Sequence, residues 1–190
     1  MLKIGVIGSA GRKDDSRLLN RTVYDMMYGT LIADLMNFKG AELTLVSGGA
    51  AYADHLAVRT FLEQPIPISA LHLHLPSEFK NSKFNPNDRD GSTANFYHKQ
   101  MERVTAIDSL LQLQLAIDKG AVVSVSNGFL ARNLLVGKVD VLIAFTFGRS
   151  SGTYSSGTAE LSGLKDGGTA HTWDHSSAPV KIHHNIHELI

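Results

Sequence analysis

A short apolar run, a turn of glycine or other small residues, then a stretch with helical spacing: this unit recurs along the chain and leaves few folds open to it. Residues 3–7 run into Gly8-Ser9-Ala10-Gly11, and residues 43–46 into Ser47-Gly48-Gly49-Ala50. Further apolar runs stand at 68–75, 121–125, 139–145 and 180–183. Between them, residues 16–38 place Leu19, Val23, Met27, Leu31 and Leu35 at helical spacing, and helical patterns also cover 52–62, 95–119, 128–137 and 169–175. Strands alternating with helices predict an α/β fold: a Rossmann-like, mostly parallel sheet with helices on both faces. One domain is expected over 1–190, since no repeat or boundary interrupts the pattern. Right-handed crossovers then collect the loops that follow the strands on one sheet edge.

Composition narrows the partners. Apolar residues make up 43% and charged residues 19% of 190, enough for a packed core. Cysteine is absent, which removes disulfides, thiolate metal sites and a cysteine nucleophile. Lys plus Arg equals Asp plus Glu, 18 against 18, whereas a dedicated nucleic-acid binder carries a basic excess. Nucleic acid is therefore not the expected partner. No apolar run approaches the roughly 18 residues of a membrane helix, and the N-terminus does not read as a signal peptide. A cytoplasmic protein is expected. Two polar stretches, 76–91 and the Gly/Ser-rich 148–168, read as lids or mobile edges.

The glycine turns carry the functional signal. Backbone amides at such turns, and at the helix starts behind them, form an anion site without a charged side chain. The residues expected to bind a ligand are Gly8, Ser9, Gly11 and Arg12 at the first turn, and Ser47, Gly48, Gly49 and Asp54 at the second. Arg132 and Asn133 join them from a helix, and Gly167, Gly168 and Thr169 from a third turn. Arg12, Lys13 and Arg132 supply the positive charge, and Asp54 an acceptor for a ribose hydroxyl. Trp173, Phe145 and Tyr97 are candidates for stacking on a base. Neither of the first two turns completes G-x-G-x-x-G, so a standard dinucleotide fingerprint is missing, and no cofactor is expected. His171 and His175 stand four apart, but nothing like H-E-x-x-H accompanies them, and no metal is expected. The apolar Leu110, Leu111, Leu113 and Leu115 suggest a helix face used in pairing two copies.

Gly8-Ser9, the segment Ser47-Gly48-Gly49-Ala50 with Asp54, and Gly167-Gly168-Thr169 resemble the SLOG superfamily. That group contains the DNA-processing protein A family and the LONELY GUY (lysine-decarboxylase-like) phosphoribohydrolases. Residues 47–54 are similar to the S-G-x-A-x-G-x-D of the former, with Tyr52 and Ala53 departing. Ala131-Arg132-Asn133 followed by Val139-Asp140-Val141-Leu142-Ile143-Ala144 is similar to the latter, where an Arg-Lys pair precedes D-x-x-I-A-L and then P-G-G-x-G-T-x-x-E. The resemblance implies a Rossmann-like fold, a nucleotide or nucleotide-derived ligand and a homodimer. In the phosphoribohydrolases the last Glu supports N-glycosidic cleavage together with the Arg; aligning Gly168-Thr169 puts Thr172 in its place, and Asn133 replaces the basic partner of Arg132. Three functions follow as expectations. The first is a binding protein that senses, sequesters or carries a nucleotide-type molecule. The second is a nucleoside 5′-monophosphate N-glycoside hydrolase, with Arg132 and Glu160 as candidate catalytic residues and Asp166 or Asp174 as substitutes. The third is a single-strand DNA-processing protein.

Overall fold

The computed structural model describes residues 1–148, 150–155 and 167–190. Along the chain these form β1 (Leu2–Gly8), α1 (Arg21–Met36), β2 (Leu43–Ser47), α2 (His55–Glu63), β3 (Ala70–Leu75), α3 (Arg89–Thr105) and α4 (Ser109–Asp118). There follow β4 (Val122–Val125), α5 (Phe129–Val136), β5 (Val141–Thr146), β6 (Gly152–Ser155), α6 (Gly168–His175) and β7 (Val180–Asn185). The strands make one sheet in the order β4-β3-β2-β1-β5-β7-β6, parallel throughout except for β6, which runs antiparallel to β7 at the edge. The expected α/β, mostly parallel architecture is present.

Both faces of the central strands β2, β1 and β5 are covered, and each of these divides its side chains between them as the period of two requires. Ile4 and Val6 of β1, Leu43 and Leu45 of β2, and Ile143 and Phe145 of β5 pack with α1, α2, α3 and α4. Ile7, Val46, Leu142 and Ala144 point the other way, against Val136 of α5 and Trp173 of α6. Trp173 and Phe145 are thus core side chains, 2% and 0% exposed, and neither offers a face to a base.

The chain moves outward from β1 through β2, β3 and β4, then returns across β1 to start β5 on its other side. That reversal splays the loops after β1 and β5 and opens a crevice at the C-terminal ends of the strands.

Several expected boundaries shift for local reasons. Helix α1 begins at Arg21 rather than near residue 16, because Asn20 caps it by accepting from the Val23 N–H at 3.0 Å. The single helix expected over 95–119 is two. Ala106 ends α3 in the left-handed region at φ 56°, and Asp108 starts α4 by accepting from the Leu111 amide at 2.9 Å. The polar stretch 76–91 is clipped down: the Asn95 side chain bonds both the N–H and the carbonyl of Phe84, and Gln114 accepts from Ser82 N. Phe84 is fully buried and meets Phe79 edge to face at 4.8 Å. Within 148–168, β6 is an unforeseen strand; residues 149 and 156–166, with Glu160 and Asp166, lie outside the described residues.

Candidate functional site

The crevice has a volume of about 430 Å³ and lies across the ends of β3, β2, β1 and β5. Of the residues expected to bind a ligand, Gly8, Ser9, Arg12, Gly48, Gly49 and Asp54 line it, as do Arg132, Asn133, Gly167, Gly168 and Thr169. Gly11 and Ser47 stand behind the wall. The Gly11 amide donates to Ser9 Oγ at 3.3 Å, and Ser47 Oγ accepts from Gly49 N at 3.1 Å while donating to the Asp54 carbonyl at 2.8 Å.

The floor is a buried ion pair. Asp54 stands at the N-cap of α2, one residue before the helix, yet its side chain does not cap it. The carboxylate turns to Arg132, 3.7 Å away, and to the backbone amides of Gly48, Ala50 and Gly8. Burial pushes the Asp54 carboxyl up, and the Arg132 guanidinium and those amides pull it back. Burial likewise presses Arg132 down from the usual arginine value, opposed first by Asp54. Arg132 Nη1 donates to the Gly48 carbonyl at 2.7 Å, and its Nε is buried without a hydrogen-bond partner among the described residues.

Two glycines make this pair sterically possible. A Cβ on Gly48 would fall 2.2 Å from Arg132 Nη1. One on Gly8 would fall 2.2 Å from the Phe145 carbonyl oxygen and 2.6 Å from Ala53 Cβ.

Most amides of the first two turns point inward. Those of Gly8, Gly48 and Ala50 face Asp54; Ser9 N donates to the Phe145 carbonyl at 2.9 Å, and Gly11 and Gly49 to serine hydroxyls. At α5, the Phe129 amide already meets the Asp90 carboxylate at 3.2 Å. Helix α6 differs. Gly167 and Gly168 open it with no side-chain cap, and its first helical bond runs from His171 N to the Gly167 carbonyl. The amides of Gly168, Thr169 and Ala170 thus have no acceptor within the helix, and this N-terminus faces the crevice with positive partial charge. Thr169 Oγ1 fixes it over β1 by donating to the Gly8 carbonyl at 2.7 Å, and Asn133 Nδ2 ties it to α5 by donating to the Gly168 carbonyl at 3.1 Å.

Arg12 and Lys13 stand exposed at the rim. The Arg12 guanidinium lies 5.7 Å from the ring centre of Tyr97 and 5.9 Å from that of Phe129. Thr172 lines the crevice but donates its hydroxyl to the Gly168 carbonyl at 2.9 Å. Asp174 lies on α6 outside the lining.

Several contributors carried no sequence signal. Asp15 is buried in the wall and accepts from Ser9 Oγ at 2.8 Å. Phe129 and Phe147 are half-buried in the lining. His98 sits beneath the second turn, its Nε2 3.0 Å from the Gly49 carbonyl and its Nδ1 2.8 Å from Ser109 Oγ. A carbonyl only accepts, so Nε2 carries the proton and Nδ1 accepts from the serine. Burial holds His98 neutral, down to about 4. Among the described residues no cluster of three or more His, Asp or Glu is arranged to hold a metal ion, and His171 and His175 stack on each other at 4.2 Å. No described helix is long and apolar enough to cross a membrane.

No protein-family model and no solved structure matches the chain. It is 35% identical over 190 residues to the uncharacterized protein R261 of Acanthamoeba polyphaga mimivirus, covering 97% of this chain and 92% of that protein. With that identity over nearly the full length of both, the chain belongs to the same family as the mimivirus protein R261.

Proposed function

We propose that the crevice binds a nucleotide or nucleotide-derived molecule, with its phosphate at the N-terminus of α6. The observation that carries this reading is the uncapped start of α6, pinned over β1 and facing a crevice that also holds Arg12, Lys13 and Arg132. Tyr97, Phe129 and Phe147 provide apolar surface for a heterocycle in the same space. On the resemblance of the turn motifs we further propose that the family belongs to the SLOG superfamily, as a sensor, sponge or carrier. For the hydrolase reading, Thr172 stands where the resemblance expects the carboxylate, and its hydroxyl is engaged. We also infer a homodimer. Leu110 and Leu113 of α4 are spent in the core, but Leu111 and Leu115 are exposed, as are Val122, Val123 and Val125 of edge strand β4 and Leu130 and Leu134 of α5. Native mass spectrometry of the purified protein tests the ligand: a co-purified mass matching a nucleotide-type compound, released on denaturation, supports the reading. Absence of any such mass, together with no binding to added nucleotides, overturns it.

A further inference from the structure

We propose that the ligand is a dinucleotide, two heterocyclic bases joined through phosphate; this rests on the nucleotide-binding reading and narrows it. The crevice has two aromatic ends. At one, on the β2–β3 side, where Pro76 after β3 also lines the crevice, Tyr97 of α3 and Phe129 of α5 stand within reach of the same Arg12 guanidinium, 5.7 and 5.9 Å from their ring centres. At the other, Phe147 follows β5 and is held edge to face against His187 at 5.1 Å. Strands β2 and β1 lie between β3 and β5. At about 4.8 Å per strand, the ends are separated by roughly 10–14 Å.

The anion seat lies between them. Thr169 pins the start of α6 to Gly8, the last residue of β1, so the amides of Gly168, Thr169 and Ala170 sit above the middle strand of the crevice. Arg132, nine-tenths buried in the lining beside Gly48 and paired with Asp54, keeps its Nε without a hydrogen-bond partner among the described residues. A base at each end and a phosphate in the middle is the layout of a dinucleotide. A mononucleotide has one base and covers one aromatic end at a time. Stacked neighbouring bases would not reach both ends, so the ligand is bound with its bases splayed apart.

Isothermal titration calorimetry on the full chain tests this with adenosine 5′-monophosphate, cyclic 3′,5′-diadenosine monophosphate, linear pApA and the pyrophosphate-linked nicotinamide adenine dinucleotide. At least one two-base ligand should bind tenfold or more tightly than the monophosphate; the phosphodiester and pyrophosphate arms show which linkage fits. Tyr97→Leu and Phe147→Leu should each weaken that ligand by roughly tenfold, as loss of one base–aromatic stack does. Only one of the two should weaken the monophosphate. A monophosphate binding as tightly as every two-base ligand overturns the inference and leaves nucleotide binding standing. Absence of binding by all four overturns both. The wild-type comparison decides the matter even if Phe147→Leu fails to fold.

Discussion

Gly48 illustrates how one residue couples the site to the fold. Its carbonyl receives Arg132, its amide faces Asp54, and the space a side chain would occupy is filled by the guanidinium. A larger residue here evicts Arg132 and leaves Asp54 buried without its counter-ion. Breaking such a pair costs about 3–5 kcal/mol. Gly48→Val is therefore expected to lower the urea midpoint steeply as well as abolish ligand binding; an unchanged midpoint would show that Arg132 contributes nothing to the floor. Thr172 poses the catalytic question. A positioned general acid or base is worth a factor of about 10²–10⁴, and a threonine hydroxyl already donated to the Gly168 carbonyl supplies neither. Incubation with nucleoside 5′-monophosphates is expected to release no free base by chromatography. Brisk release would assign the chemistry to another carboxylate; Asp15 and Asp54 line the crevice among the described residues.

Among the elements, the α3–α4 pair separates what sequence shows from what it hides. The apolar spacing over 95–119 is continuous because both helices face the same core, so periodicity alone joins them. The break lies in two local cues, a left-handed Ala106 and the capping Asp108. Asp108→Ala should remove the cap of α4 and cost about 1 kcal/mol in chemical denaturation; no change would mean that tertiary packing alone sets the helix start. Strand–glycine–helix units were legible because turn chemistry and apolar runs are local. For the same reason Asp54, Arg132 and Gly168 could be singled out beforehand. Asp15, His98 and Phe147 could not, since their roles arise from contacts between distant segments: His98 reaches a carbonyl 49 residues away. In the second turn, the amides of Gly48 and Ala50 face Asp54, which also stands out in the sequence.

At the scale of the whole molecule, two buried histidines make stability depend on pH. Burial lowers His98 to about 4 and His55 to about 3, from 6.5. The unfolded chain therefore binds protons that the folded chain refuses, so stability is full above pH 6.5 and falls as pH drops towards those values. The loss by pH 5 is on the order of 2 kcal/mol per histidine. The urea midpoint is expected to drop between pH 7 and 5, and His98→Gln to flatten that slope; a steeper slope in the variant would contradict the assignment. Pairing through the apolar β4 edge predicts a dimer in analytical ultracentrifugation that Leu111→Glu with Leu115→Glu splits, and a wild-type monomer at micromolar concentration would refute it.

An anionic ligand at the start of α6 would leave the amides of Gly48 and Ala50 facing Asp54. Amide proton–nitrogen NMR of the labelled chain, titrated with adenosine 5′-monophosphate, addresses it residue by residue. The amides of Gly168, Thr169 and Ala170 are expected to move furthest, while those of Gly48 and Ala50 keep their positions. Larger shifts at Gly48 and Ala50 than at α6, or shifts confined to residues outside the crevice, would contradict it.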